Sequence, residues 1–514
     1  MLITTASVRA PANSRLFGGR STELGEGQRR RTGERGVEGT SSPRAYRGVL
    51  LVAALVLSVM LPACGSSAPK LQSADYQKGY RLGLDAYRYG LPLMVTNATF
   101  QTMTSVNVSA GAFGPVNRFN HVRGLNNAAS KAVVAPGSTS LSSIAWLDLR
   151  DEPQVLHVPK VADHYFVLAL IDPYTENVKN FGTASNTKPG DYVIVGPGQH
   201  EVKLPAGTQR LDVDCSRIWI IGSTQLKGPD DVASVNKIQD GYTLTPLSKY
   251  GTDYTPPEPA HAETSVVTYR MPAGVQFFDA LGQQLAAFPP PARDEAELRK
   301  LAEVGIGPGK TPSQDSKLSS EIVRGLADAV AAGPAQIVKD TKKLFAEGSA
   351  KNNGYLLGGF GRYGTDYKPR AVISSIGLGA FVPNQAIYAM SWSDHDRKAL
   401  SGSTPYVLHM QSPPPTSEGW SLTVYDLHGA LVSNPLNRFA FSSISQLNRN
   451  SDGSIDFYLQ PTEPASPEQA SNWLPTPSGQ GFEVMWRLFA PESTRIAGIL
   501  GGSGWQPPAI KPRP

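Results

Sequence analysis

Trp420-Ser-Leu-Thr-Val-Tyr425 is uncharged and rich in aromatic and β-branched side chains, the composition of a β-strand. Similar runs lie on either side of it: Tyr406-Val-Leu-His-Met410, Ser454-Ile-Asp-Phe-Tyr-Leu459 and Phe482-Glu-Val-Met-Trp-Arg-Leu-Phe489. The same texture fills 130–225, where His164-Tyr-Phe-Val-Leu-Ala-Leu-Ile171, Asp191-Tyr-Val-Ile-Val195 and Arg217-Ile-Trp-Ile-Ile221 sit between Gly, Pro and Asn. Short strands punctuated by turns predict a sandwich or jelly roll rather than a parallel sheet with helices between its strands.

The intervening stretch reads differently. Gly274–Phe288, Asp294–Val304 and Ser316–Phe345 have helical period, with Pro289-Pro-Pro291, Gly305–Gly309 and Gly333-Pro334 as expected breaks. Asp75–Met94 predicts an amphipathic helix on Tyr76, Tyr80, Leu84, Tyr87 and Leu91, and Asp230–Asp240 a short one. The fold class expected is mainly β: two β-sandwich or jelly-roll-like domains joined by a helical connector, with an N-terminal helix. The expected boundaries are a β domain at 73–271, the connector at 272–350 and a second β domain at 351–514.

The 514 residues are 40% hydrophobic and 18% charged, enough apolar mass for real cores. Gly 50 and Pro 42 suit a turn-rich chain. A net charge of +5 is too slight to point to nucleic acid.

Residues 1–63 read as a signal segment. A polar, Arg-containing stretch precedes the uncharged run Gly48–Leu61, which is long enough for a signal core and short for a membrane span. The length of the polar stretch suggests a misplaced start codon. The run ends in Leu61-Pro62-Ala63-Cys64-Gly65, similar to a bacterial lipoprotein signal. That similarity implies cleavage before Cys64, acylation of its thiol and new amine, a tether at 64–72, and anchoring at the extracytoplasmic face of the cell membrane. Cys215 is the only other cysteine. With Cys64 acylated it has no disulfide partner, and it reads as a small core residue.

Catalytic signatures are weak. No Gly-x-Ser-x-Gly elbow is present. Gly359-Phe-Gly-Arg-Tyr-Gly364 spells Gly-x-Gly-x-x-Gly, but it follows no clear strand and Pro369 opposes a long helix behind it. His121, His157 and His164 share the first β region without metal-ligand spacing, so neither metal nor other cofactor is expected. Asp148, Asp172 and Asp426 close strands. They offer either paired acids for glycan hydrolysis or simple turn caps.

Several longer strings carry a resemblance. Asn117-Arg-Phe-Asn-His-Val-Arg123, Ile144–Leu149 with Glu152-Pro153, Gly190–Gly198, Gly228–Val232 and Gln239–Leu247 resemble the domain of unknown function 1254. Gly419–Asp426, Asn434-Pro-Leu-Asn-Arg438, Asn472-Trp-Leu-Pro475 and Arg487-Leu-Phe-Ala-Pro491 resemble its companion, domain of unknown function 1214. The resemblance implies two jelly-roll-like sandwiches joined by helices and no settled activity. This chain departs from the first pattern. Ser138 stands for an Asp, Leu141 for a Tyr, and Ala184 and Ser223 for arginines, removing charge and bidentate donors.

The expected function is therefore a membrane-anchored envelope protein that binds a ligand or acts as a scaffold. The alternative is an envelope hydrolase acting on glycan or lipid through strand-end acids. The expected partners are the membrane, through the N-terminal lipid, and an envelope glycan or lipid ligand. The candidate ligand site is the intact C-terminal set Trp420, Tyr425, Asp426, Asn437, Arg438, Asn472 and Trp473. Arg438 there either clamps an anion or pairs with Asp426.

Overall fold

The structure is a computed structural model that describes residues 72–130, 134–199, 201–349 and 352–513. The signal segment and Cys64 lie outside the described residues. Helix α1 (Ala74–Met103) starts where the Ser73 hydroxyl accepts the Tyr76 amide, and it runs well past its expected end through Pro92. The first half then contributes strands β1 (Asn120–His121), β2 (Ser140–Asp148), β3 (Gln154–Val158), β4 (Phe166–Ile171), β5 (Asn177–Gly182), β6 (Gly190–Val195), β7 (Gln209–Asp212), β8 (Arg217–Gln225) and β9 (Thr243–Pro246), with helix α2 (Val232–Asp240) before the last.

These strands make a five-stranded sheet in the order β1-β2-β8-β4-β5 and a four-stranded sheet in the order β7-β6-β3-β9. Successive side chains along a strand point to opposite faces. Ala145 and Leu147 of β2, Ile218 and Ile220 of β8, and Phe166, Leu168 and Leu170 of β4 meet Leu156, Val158, Tyr192 and Ile194 of the smaller sheet in one core. The alternate residues Ile144, Trp146, Trp219, Ile221, Val167, Ala169 and Ile171 face the other way and are covered too. That double burial explains why these strands read as continuous apolar runs.

The second half repeats the arrangement. Strands β10 (Leu356–Leu357), β11 (Ala386–Ser391), β12 (Tyr406–Met410), β13 (Trp420–Asp426), β14 (Ala440–Ser442), β15 (Ile455–Gln460), β16 (Trp473–Pro475), β17 (Phe482–Phe489) and β18 (Ile510–Pro512) form a five-stranded sheet, β10-β11-β17-β13-β14, over a four-stranded sheet, β16-β15-β12-β18. Trp420, Leu422, Val424, Val484, Trp486 and Leu488 pack inward against Leu408, Phe457 and Leu459. The chain is mainly β, with four sheets and an N-terminal helix.

Helices α3 (Gln276–Ala287), α4 (Glu295–Ala302), α5 (Ser320–Ser349) and α6 (Tyr367–Ile376) gather around α1. Leu82, Leu93, Phe277, Phe278, Leu281, Leu326 and Ile337 share their core. Two expectations are corrected here. Gly333-Pro334 does not break α5, although an interior proline costs about 3 kcal/mol. Gly333 has no Cβ to clash with the proline ring behind it. It lies so close to Tyr87 that an added Cβ would come within 2.6 Å of the ring, so packing on α1 holds the helix through the proline. Pro369 does not prevent α6 either, because it occupies the first turn, where no amide is needed. None of the helices among the described residues is long and apolar enough to cross a membrane.

Candidate functional site

The outward faces of the two five-stranded sheets look toward one another. Where they do not touch they leave a cavity of about 200 Å³. One wall carries Ser142, Ile144, Trp219, Ile221 and Ser223; the other carries Tyr388, Met390, Met485, Arg487 and Phe489. Phe360, Phe381 and the segment following α6 complete it. The site is largely apolar, with a few polar groups placed among the hydrophobic ones.

Arg487 is the only charged side chain among the described residues that line this cavity, and it is 9% exposed. Its position follows from register. In β17 the even-numbered residues enter the sandwich core, while Glu483, Met485, Arg487 and Phe489 face out. The partners of its guanidinium are neutral: the Ala135 carbonyl at 2.7 Å and the Thr423 hydroxyl at 3.5 Å, with the Tyr425 ring 5.6 Å away. A charge this deep without a carboxylate against it is unusual. Trp219 adds an unsatisfied group. It stacks on Trp146 at 4.7 Å, and its indole Nε1 is buried with no acceptor among the described residues.

Beside the cavity, on the same face of β17, Glu483 is buried. Burial pushes its carboxyl up to about 8, and the nearby Trp392 and Arg487 only partly oppose that. The segment 135–137 crosses this face. The Ala135 amide donates to the Gly429 carbonyl at 2.8 Å, and the Tyr425 hydroxyl donates to the Pro136 carbonyl at 2.8 Å.

The seven expected site residues do not converge. Trp420 is buried in the sandwich, edge-on to Phe457. Tyr425 points to the opposite face and bonds to Pro136. Asp426 accepts the amides of His428 and Ala430, closing its own turn. Arg438, Asn472 and Trp473 do come together, yet they bond to main chain. Arg438 donates to the Ala470 and Trp473 carbonyls at 2.9 and 3.1 Å rather than pairing with Asp426, Asn472 clamps Asn448, and the Trp473 indole donates to Gln460. Asn437 takes a left-handed conformation, with φ 49°, in a turn pinned by Asn434.

The other singled-out groups have equally local roles. Asp172 accepts the amides of Tyr174 and Glu176, and burial raises its carboxyl to about 7. Asp148 holds Arg150. His121 bonds to Ser143 and is pushed down to about 4 by burial; His157 meets Asp191, and His164 sits between Asp163 and Asp231. Cys215 is a buried free thiol. In the glycine-rich loop, the amides of Tyr363 and Gly364 are filled by the protein's own Glu176 carboxylate, at 3.0 Å each. The amides of a glycine loop that would cradle a phosphate are thus occupied from within.

The signal that sequence reading passed over was Arg487 itself. It is a cation inside a strand whose every residue is buried and whose only other charged group is Glu483. Of the departures from the family pattern, Ser223 lines the cavity, where it donates to Ser140 at 2.9 Å, whereas Leu141 is buried in a small separate cluster with Leu226 and Val235.

Two sandwiches, each of five strands on four, with a cavity between their larger sheets, define the class. Residues 116–246 match the family described as protein of unknown function DUF1254, and residues 385–493 match that described as DUF1214, so the chain carries both domains. Among solved structures, the VPA0106 protein from Vibrio parahaemolyticus is similar at 21% identity and a TM-score of 0.59, over 85% of this chain and 100% of that one. An uncharacterised protein from Burkholderia cenocepacia is similar at 12% identity and a TM-score of 0.39, over 85% of this chain and 94% of that one. Comparison with curated proteins found no match.

Proposed function

We propose that this is an envelope protein, tethered to the membrane through Cys64, that binds a small anionic amphipath between its two five-stranded sheets. The observation that carries this reading is Arg487: a buried cation whose hydrogen-bond partners are neutral, on the wall of a largely apolar cavity. A ligand carboxylate there gains a charge-assisted, planar-fork contact. Its hydrocarbon part gains about 25 cal/mol for each Å² removed from water against Ile144, Ile221, Met390 and Met485. At about 200 Å³ the cavity suits one short chain rather than a two-chain lipid. The lipoprotein-like signal supports the location.

Isothermal titration with octanoate tests this. The wild-type protein binds octanoate at one site, and Arg487→Gln weakens it at least tenfold, since charged hydrogen bonds contribute roughly 1.5–3 kcal/mol. Octanol, which lacks the charge, binds both proteins alike. No octanoate binding, or equal binding by a folded Arg487→Gln protein, contradicts the reading.

A further inference from the structure

A second, larger opening lies outside the sheets. It is a cleft of about 670 Å³, within the range of roughly 300–1,000 Å³ usual for small-molecule sites. Both halves of the chain build it. Lys179 and Asn180 of β5 and Ser185 form one side, and Phe360, Arg362, Pro383 and Asn384 the other. We propose that this cleft binds an acidic saccharide, on evidence independent of the inner cavity.

Two observations define the ligand. The first is charge. Lys179 and Arg362 both line the cleft, and neither has a carboxylate partner among the described residues. The Arg362 Nε donates only a long contact, 3.4 Å, to the Asn177 carbonyl, and the Lys179 ammonium lies 5.8 Å from the Phe181 ring. Two cations lining one concavity favour an anion.

The second is a missing donor. Asn180 is 8% exposed, lines the cleft, and has its amide oxygen buried with no hydrogen-bond partner. A buried acceptor left empty costs about 1–3 kcal/mol, and a turn of the Asn180 amide toward the cleft lets a ligand O–H or N–H fill it. Sulfate and fully ionised phosphate have acceptors only. A uronic acid has both: a carboxylate for Lys179 and Arg362, and hydroxyls that donate to the Asn180 amide oxygen and accept from Asn384. Phe360 and Pro383 add the flat apolar faces on which sugar rings rest.

Titration calorimetry at low salt with trigalacturonic acid tests the assignment, with maltotriose and sodium sulfate as controls. The trisaccharide acid should bind, and maltotriose at least tenfold more weakly. Lys179→Glu and Arg362→Glu should each weaken the acid at least tenfold. Both side chains are exposed, so these variants should keep their thermal midpoints. Asn180→Asp, nearly isosteric, should weaken it further by placing a carboxylate at the buried position. All three variants should bind octanoate as wild type does, so failure here is separable from failure of the inner cavity. The proposal is overturned if trigalacturonic acid does not bind, if neither charge reversal weakens it, or if sulfate displaces it at equal concentration.

Discussion

Arg487 and Ala135 are 352 positions apart in the chain, yet the guanidinium of one donates to the carbonyl of the other at 2.7 Å. The contact joins the outer face of the second sandwich to a segment of the first. Tyr425 bonds to Pro136 and Ala135 to Gly429 alongside it. The arginine that marks the cavity therefore also helps to hold its edge in place.

At Gly325 the long helices α1 and α5 meet backbone to backbone. A Cβ on Gly325 of α5 would lie 2.5 Å from the Tyr76 carbonyl oxygen and 2.7 Å from the Tyr80 nitrogen of α1. Neither backbone atom can yield without moving a helix. Gly325→Ala should lower stability by about 1–3 kcal/mol, read as a shifted urea midpoint at unchanged slope.

Glu483 makes stability depend on pH. Its folded-state carboxyl is raised to about 8 from an ordinary value of 4.5, so the folded protein holds a proton that the unfolded chain has released. Its contribution is whole below about pH 4.5 and is lost as pH rises toward 8. Urea unfolding should show stability falling between pH 5 and 8, roughly 3–4 kcal/mol of it from Glu483, with Glu483→Gln flattening that slope. Asp172, raised to about 7, leaves a smaller fall in the variant.

A hairpin offers a gain. Arg397 is exposed with φ 65°, in the turn that Asp394 closes by accepting the amides of Asp396 and Lys398. A non-glycine residue there costs roughly 1–2 kcal/mol, partly offset by the greater freedom of glycine in the unfolded chain. Arg397→Gly should raise stability by about 0.5 kcal/mol, measurable as a higher thermal midpoint.

Cys64→Ala removes the thiol expected to accept lipid. Metabolic labelling with a fatty acid should disappear, and part of the protein should leave the lipoprotein fraction. Cys215→Ala should change neither, because that thiol is buried and its pKa is pushed up. Intact mass gives the same answer: a mature chain starting at Cys64 without acyl mass contradicts the tether.

The two sandwiches were legible where strands are dense in apolar residues. The runs 406–410 and 482–489 match their strands end to end. The first part of β2 was harder, because Ser140 and Ser142 face the cavity wall and break the apolar run. The site itself was illegible in motif strings. Asn434, Arg438 and Asn472 are distinctive because they fasten loops to main chain. The cavity instead draws on separate segments around 135–144, 219–223, 376–390 and 485–489, which only the facing of the two sheets brings together.

The most direct measurement is photo-crosslinking with an octanoate analogue that carries a diazirine near its tail, mapped by peptide mass spectrometry. The account predicts adducts on the strands that face each other, on peptides containing Trp219–Ser223 and Met485–Phe489, suppressed by excess octanoate and by Arg487→Gln. Adducts confined to peptides outside the cavity, or indifferent to Arg487→Gln in a folded protein, would contradict it.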